Sequence, residues 1–368
     1  MRCECQEDHR QFCLRVWPFR KMHDLWYGGG GDEADDKNTE VDSYDENCTS
    51  QCDVVEPSLG QMLMQQAGLN RSVHSSISED RHDLEAALSG TFCHDYSIQE
   101  TLGQGTFGFV RRAKCLATGG NVVVKFVRTK KVPESGWCHI VGRPEPVPLE
   151  VEILSRVVGR SKFIIELQDF HVSKGFVSLV MEDFGSMDLF DFVDRVQSME
   201  EPLARHIFAQ ILQGVEFLSE NSILHRDIKD ENVVINRSFA CKLIDFGSAA
   251  YMLPEGELFD EFRGTKEYCS PEVWAGNRYS GPPQEMWALG VTLFTLLNTV
   301  NPFPVEDPPY QLTLDDLPET QPAALNDLLL GLLECEPTQR LTLEGAANNP
   351  WVADPIDASG FQWKELIG

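Results

Sequence analysis

His225-Arg226-Asp227-Ile228-Lys229-Asp230-Glu231-Asn232 and the later triplet Asp245-Phe246-Gly247 hold most of the chemistry legible in this chain. Together they offer a carboxylate able to accept a proton, cations able to meet phosphate, and an amide and a carboxylate able to ligate a metal. That inventory suits phosphoryl transfer, where positioning and charge neutralisation carry the catalysis. A lone Asp-Phe-Gly would carry little weight. Two such motifs in this order, with a short β-rich segment between them, are hard to produce as a surface loop of solvated charges.

Two further groups stand upstream. Gly103-Gln104-Gly105-Thr106-Phe107-Gly108-Phe109-Val110 has the spacing G-x-G-x-x-G-x-V, in which missing side chains let backbone N–H groups approach phosphate oxygens. A dinucleotide-binding turn would open into a helix and carry an acidic residue about 20 positions on, whereas a second β-rich run follows here directly. The stretch therefore predicts a β-hairpin lid over a nucleotide. Val122-Val123-Val124-Lys125 places one lysine in an apolar strand, where a buried ammonium is costly without an anionic partner. In Pro148-Leu149-Glu150-Val151-Glu152-Ile153-Leu154 the apolar residues mark one helix face, and Glu150 is the expected partner, with Glu152 its competitor.

These residues need strands first and helices later. Ile98 to Leu102 and Phe109 to Ala113 flank the glycine turn, and Asn121 to Val127 is a β-branched run suited to a buried strand. Between Pro202 and Asn221 the residues Leu203, Ile207, Phe208, Ile211, Leu212, Val215 and Leu218 recur at helical spacing and predict a core helix. The order indicates an α+β arrangement of two lobes.

In sequence order the glycine stretch, the Val-Val-Val-Lys strand, the eight-residue motif, Asp-Phe-Gly, Ser270-Pro271-Glu272 and Glu285-Met286-Trp287-Ala288-Leu289-Gly290 resemble the eukaryotic protein kinases over roughly residues 96–352. Within that family, Leu243 to Tyr251, Gly264 to Cys269 and Gly290 to Leu293 are most similar to the PAS-domain serine/threonine kinases. The Pro-rich segment before the predicted helix and the Arg226 to Asn232 wording are similar to the Pim kinases. The 95 preceding residues are expected to leave no room for a PAS domain. The resemblance implies an α+β, bilobal protein kinase fold with an N-lobe at 96–181, a hinge at 182–185, a helical C-lobe at 186–352 and a tail at 353–368. It also favours Glu150, which lies three before the Ile153-Leu154 pair as in the kinase helix C pattern.

The implied function is transfer of the γ-phosphate of ATP, with Mg²⁺, to serine or threonine of protein substrates. Asp227 would accept the hydroxyl proton and Lys229 would neutralise the moving phosphoryl group; a lysine two after the aspartate resembles serine/threonine kinases. Asn232 and Asp245 would hold the metal ions. Residues 103–110 would cover the phosphates, Leu102 and Val110 the adenine, and Lys125 with Glu150 would grip the α- and β-phosphates. Met181 would be the gatekeeper, the backbones of Glu182 and Phe184 would meet the base edge, and Asp188 would lie near the ribose. Asp188 and Glu231 would also draw basic residues upstream of the target hydroxyl. Thr265 is expected on Asp227, Glu272 on Arg340, and Glu285 on the catalytic-loop backbone in place of the more usual aspartate. Glu261 occupies the position where many kinases carry an activating phosphate, and is expected to pair with Arg226 and remove the need for it. A pseudokinase scaffold or signalling adaptor is the alternative reading, and it would have lost Lys125, Asp227 or Asp245; all three are present.

Composition bounds the rest. The chain has 368 residues, 42% of them hydrophobic, which is enough for two lobes with a real core. Its net charge of −27 argues against nucleic acid or anionic membranes as partners and favours basic substrates. Eleven cysteines without a secretory signal pattern read as reduced thiols, with the cytoplasm, and secondarily the nucleus, as the expected compartment. Cys3, Cys5, Cys48 and Cys52 lack zinc-site spacing, and no apolar run approaches the roughly 18 residues of a membrane span. A monomer is expected. Residues 1–95 read as a largely disordered leader: a Gly28 to Gly31 run and acidic residues from Asp32 to Glu46 make 28–58 disordered, the basic-aromatic stretch from Gln11 to Tyr27 reads first as an untied terminus and second as a docking motif, and one short helix is expected at 79–89.

Overall fold

Alternation along one strand organises the N-terminal half of the fold. In Asn121–Arg128 (β3), Val122, Val124 and Phe126 point to one face and Val123, Lys125 and Val127 to the other, as a two-residue period requires. The first set packs with Phe92, Phe109, Phe176 and Val180 on the outer face of the sheet. The second faces the main core and the cleft.

The structure, a computed structural model, describes residues 92–104, 108–140, 142–173, 175–303, 307–354, 356 and 358–367. The expectations for residues 1–91, namely the leader, its docking stretch and the helix at 79–89, lie outside the described residues, as do Gly105, Thr106 and Phe107. Tyr96–Gln104 (β1), Gly108–Cys115 (β2), β3, Leu167–Ser173 (β4) and Phe176–Glu182 (β5) form one antiparallel sheet in the order β1-β2-β3-β5-β4. Gly103 pairs with Val110 and Gln104 with Phe109, so β1 and β2 are paired up to the two ends of the glycine stretch. Gly108 admits no side chain: a Cβ there would sit 1.6 Å from the Phe126 carbonyl oxygen. Helix Leu149–Val157 (α1) follows a small hairpin of Trp137–Cys138 with Val147–Pro148 and buries Val151, Ile153, Leu154 and Val157 against the sheet.

Helices make up the C-terminal half. Leu189–Val196 (α2) starts at Asp188, whose carboxylate accepts the Asp191 N–H at 2.7 Å, and stops at Gln197 in the left-handed region. Glu201–Glu220 (α3) carries a proline in its first turn and buries the predicted stripe Leu203, Ile207, Phe208, Ile211, Leu212, Val215 and Leu218. Gly281–Asn298 (α4) is buried over most of its surface, and its Trp287 ring stacks on Phe303 at 5.2 Å. Ala323–Leu332 (α5) packs on α4 with Leu325, Leu328, Leu329 and Leu332. Beyond residue 352, Trp363 packs back onto the fold, its ring 5.3 Å from that of Phe192 of α2 and 5.6 Å from that of Phe239. Among the described residues no helix is long and apolar enough to cross a membrane. The mixed architecture, a β-sheet half followed by a helical half, agrees with the α+β bilobal expectation.

Candidate active site

A cleft separates the sheet from the helical half. Val110, Val123, Lys125, Ile165, Met181, Glu182, Phe184, Gly185, Val234, Ile244 and Asp245 line it. Apolar walls with a few charges at one end are the usual makings of a small-molecule site.

Its charged end is built by β3 and α1. Lys125 Nζ donates to Glu150 Oε1 at 2.5 Å and to Asp245 Oδ1 at 2.8 Å. Glu152, on the opposite side of the helix, accepts instead from the Tyr251 hydroxyl at 2.5 Å. Burial alone would lower the Lys125 ammonium, but the Asp245 and Glu150 carboxylates outweigh it and hold the group well above its ordinary value, so it stays charged. The cleft walls would raise the Asp245 carboxyl, and the neighbouring Lys125 reverses this and holds it at about 2.

Opposite lies the loop between the short strands Ile223–Leu224 and Val233–Ile235. Asp227 is gripped from both sides. Its Oδ1 accepts from the backbone N–H and hydroxyl of Thr265 at 2.9 and 2.8 Å, and its Oδ2 accepts from Asn232 Nδ2 at 2.8 Å. Lys229 Nζ reaches Glu231 at 2.5 Å and lies 3.9 Å from Asp227 Oδ2. Burial would lower that ammonium, and the carboxylates of Asp227 and Glu231 raise it overall. The Thr265 segment runs so close that a Cβ on Gly264 would meet the Arg226 carbonyl oxygen at 2.5 Å.

Arg226 sits in the left-handed region at φ 65°, a conformation held by α4. Glu285 Oε1 accepts the backbone N–H groups of His225 and Arg226 at 2.5 and 2.9 Å, so the longer acidic side chain does reach the loop. Glu285→Ala would leave two N–H groups without partners, and is expected to cost about 2–4 kcal/mol of stability and roughly tenfold in turnover, whereas Glu285→Gln keeps the acceptor oxygen. Burial lifts this carboxyl to about 7, with the two N–H groups opposing the shift. A folded-state value above the unfolded one means the fold binds the proton more tightly. The group's stabilising contribution is therefore complete below the ordinary carboxylate range and lost as pH rises through about 7. Thermal unfolding from about pH 5 to 8 should show that decline in the wild type and not in Glu285→Gln.

One expectation is corrected. The Glu261 carboxylate does not pair with Arg226; Arg226 Nη2 donates to the Glu261 backbone carbonyl at 2.6 Å and to the Tyr279 hydroxyl at 2.9 Å, with Phe259 under its guanidinium at 4.4 Å. The side chain is captured by Arg263, whose Nε and Nη2 meet Glu261 Oε2 at 3.0 and 2.7 Å. A guanidinium two residues away offers forked charge-assisted bonds that the more distant Arg226 cannot match. Other expected contacts are present: Arg340 holds both oxygens of Glu272 at 2.8 and 2.9 Å.

The remaining predicted residues divide by where their side chains go. Val110, Met181, Glu182 and Phe184 line the cleft. Phe109 turns to the outer face and stacks on Phe126 at 4.7 Å, leaving only its backbone near the hairpin tip. Leu102 is buried in the main core, beside register shifts on either side of Thr101. Asp188 is buried at the start of α2, so its carboxylate is not laid open to solvent. Val123, Ile165, Val234 and Ile244 complete the lining without being expected from the sequence, and Gly185 closes the expected hinge. Val123 shares a strand face with Lys125 and Ile244 precedes Asp245, so both carried a signal; Ile165 is brought in only by its backbone bond to the Leu243 carbonyl at 3.0 Å.

Asn232 and Asp245 also suit a hard cation. The Asn232 amide nitrogen donates to the Asp227 carbonyl and carboxylate, both at 2.8 Å, which leaves the amide oxygen to act as a metal ligand. Asp245 adds carboxylate oxygen, and Mg²⁺ prefers one or two such protein ligands with phosphate and water completing its shell.

Comparison with known proteins gives consistent matches. The family described as Protein kinase domain matches residues 96–352. The chain is 45% identical over 292 residues to a mouse protein named PAS domain-containing serine/threonine-protein kinase, covering 76% of this chain and 20% of that protein. It is 36% identical over 266 residues to Serine/threonine-protein kinase prk-2 of Caenorhabditis elegans, covering 71% of this chain and 59% of the relative. Human NUAK family SNF1-like kinase 1 is 33% identical over 264 residues, covering 70% and 38% respectively. In each case the chain spans less than two thirds of the relative's length.

Proposed function

The chain belongs to the protein kinase family, and from that membership we propose that it transfers the γ-phosphate of ATP to serine or threonine hydroxyls of protein substrates. The observation that carries this reading is Asp227, held between Thr265 and Asn232 across the cleft from the joined Lys125, Glu150 and Asp245. Asp227 orients the substrate hydroxyl and takes its proton as the new O–P bond forms and the bond to ADP breaks. Lys229 offsets charge on the phosphoryl group in transit, and Lys125, fixed by Glu150, holds the nucleotide phosphates. Mg²⁺, held by Asn232 and Asp245, would neutralise phosphate charge. Met181 closes the back of the base pocket, and the backbones of Glu182 and Phe184 receive the base.

Substrates with basic residues upstream are favoured. Support for this comes from the exposed carboxylates of Glu255, Glu257 and Asp260 on the activation segment and from the net charge of −27, more than from the buried Asp188. The cytoplasm is the compartment proposed for a chain that carries eleven cysteines.

Activity without activation-segment phosphorylation is part of the same reading. Its support is that Arg226 already has a carbonyl, a hydroxyl and an aromatic face as partners, and that Phe259 and Tyr279 exchange backbone bonds at 2.8 and 3.0 Å. Phosphatase-treated protein should keep at least about half its rate, and Glu261→Ala should stay within about twofold of wild type, because the carboxylate is not what Arg226 uses. Full dependence on an upstream kinase would refute this. The function as a whole is tested by phosphotransfer from Mg-ATP onto a degenerate peptide library, with Lys125→Ala and Asp245→Asn as controls. Labelled serine or threonine peptides enriched in upstream arginine or lysine are expected; no transfer by the intact chain would favour a scaffold.

A further inference from the structure

Between the end of β5 at Glu182 and the next short strand at Met187 the chain crosses from the sheet to the helical half without regular pairing. Two buried cations grip this crossing. Arg112, on β2 with a side chain 4% exposed, donates from Nε to Asp183 Oδ2 at 2.9 Å and from Nη1 to Glu100 of β1. Lys242, on the short strand Cys241–Leu243 with a side chain 10% exposed, pairs with Glu182 Oε1 and lies 4.7 Å from the Phe184 ring centroid. The same Glu182 oxygen accepts the Glu166 N–H at 2.8 Å. Three consecutive residues are thus fastened by one cation from the sheet and one from the helical half. The far end is tied by the Ser186 N–H to the Ile235 carbonyl at 2.9 Å.

We propose that Arg112 and Lys242 are positioning residues that clamp the crossing at residues 182–184 and thereby set nucleotide affinity and base discrimination. The inference rests on the nucleotide-binding reading above and extends it to residues that touch neither base nor phosphate. A buried guanidinium or ammonium is tolerated only with well-placed carboxylates, so these contacts hold the side chains of Glu182 and Asp183 in one arrangement. Fixing the side chains of an unpaired stretch fixes the backbone groups that would meet the base, and a preformed site loses less entropy when the ligand binds. Discrimination depends on it most. A backbone held in place presents donors and acceptors in one pattern, and a loosened one accommodates either purine.

The test is calorimetric binding of Mg-ADP and Mg-GDP to the full chain, with kcat and KM for ATP measured alongside. Arg112→Met and Lys242→Met are each expected to weaken ADP binding about fivefold, a modest ion-pair effect of roughly 1 kcal/mol, and to shrink the ADP:GDP preference by a similar factor. KM for ATP should rise accordingly while kcat stays within about twofold, and Lys242→Arg should restore both affinity and preference. Should Arg112→Met not fold, Asp183→Asn removes the same pairing and leaves Arg112 its Glu100 partner. Folded variants with wild-type affinity, or with ADP and GDP weakened alike, would overturn the clamp alone. A wild-type chain that binds no nucleotide would overturn the parent reading and the clamp with it.

Discussion

Asp227→Asn is expected to lower kcat by about a thousandfold and to leave Mg-ADP affinity within about threefold, the pattern of a lost proton acceptor rather than a lost binding contact. Both carboxylate oxygens of Asp227 are already used as acceptors. One takes the two Thr265 donors, the other takes Asn232 Nδ2. An amide can present only one acceptor oxygen, so its NH₂ must face either the Thr265 donors or the Asn232 amide, and the hydrogen-bond network loses a bond as well as a base. Single-turnover phosphotransfer and nucleotide titration on the same preparation separate the two effects. Loss of turnover without loss of ADP binding assigns Asp227 to chemistry. Equal losses in both would assign it to holding the loop.

Arg340→Met is expected to destabilise the fold by about 3–5 kcal/mol, the range for removing one partner of a buried ion pair. The Arg340 side chain is fully buried. Beyond its two bonds to Glu272 it donates to the backbone carbonyls of Pro283 at 2.9 Å, Glu334 at 2.8 Å and Cys335 at 3.2 Å, and it lies over the Trp287 ring at 5.1 Å. Methionine fills part of the volume and satisfies none of these acceptors. Against a typical total of about 5–15 kcal/mol, the loss is enough to unfold the helical half in mild urea. The pair also has a pH signature. Burial would raise the Glu272 carboxyl, but Arg340 outweighs it and lowers it. The stabilisation is therefore complete above the ordinary carboxylate range and fades as pH falls through the depressed folded-state value, the opposite sign to Glu285. Urea melts across acidic pH should show that fading in the wild type and lose it in Arg340→Met.

Much of the site could be read because its residues are constrained by local periods. Lys125 had to face the cleft once Val122 to Val127 alternated as a strand, since Val123 and Val127 on the same side pack inward. Glu150 and Glu152 sit about 200° apart on a helix, so only one of them could meet the lysine. What could not be read depends on atoms brought together across long separations. Whether Arg226 would meet the side chain or the backbone of Glu261 was decided by Arg263, a competitor two residues from the glutamate. The partners of Arg112 lie 12 and 71 residues away, and neither Glu100 nor Asp183 carries a local mark of its role. Asp188 did carry one. An aspartate three residues before the Asp191 N–H, at the head of an apolar-periodic run, is an N-cap signal, and it competed with the ribose reading.

The same physical pattern recurs across the site: carboxylates decide where its cations sit. Glu150 and Asp245 fix Lys125, Asp227 and Glu231 fix Lys229, Glu272 fixes Arg340, and Glu182 and Asp183 fix Lys242 and Arg112. Each of these pairings is supplied by residues of this chain.

The most direct measurement is transfer of radiolabelled γ-phosphate from Mg-ATP by the phosphatase-treated chain onto serine- and threonine-containing peptides, followed by phosphoamino-acid identification. Label in phosphoserine or phosphothreonine, falling to background in Asp245→Asn, is the expected result. No label from the wild type, or label undiminished by Asp245→Asn, would contradict the assignment of this cleft to phosphoryl transfer.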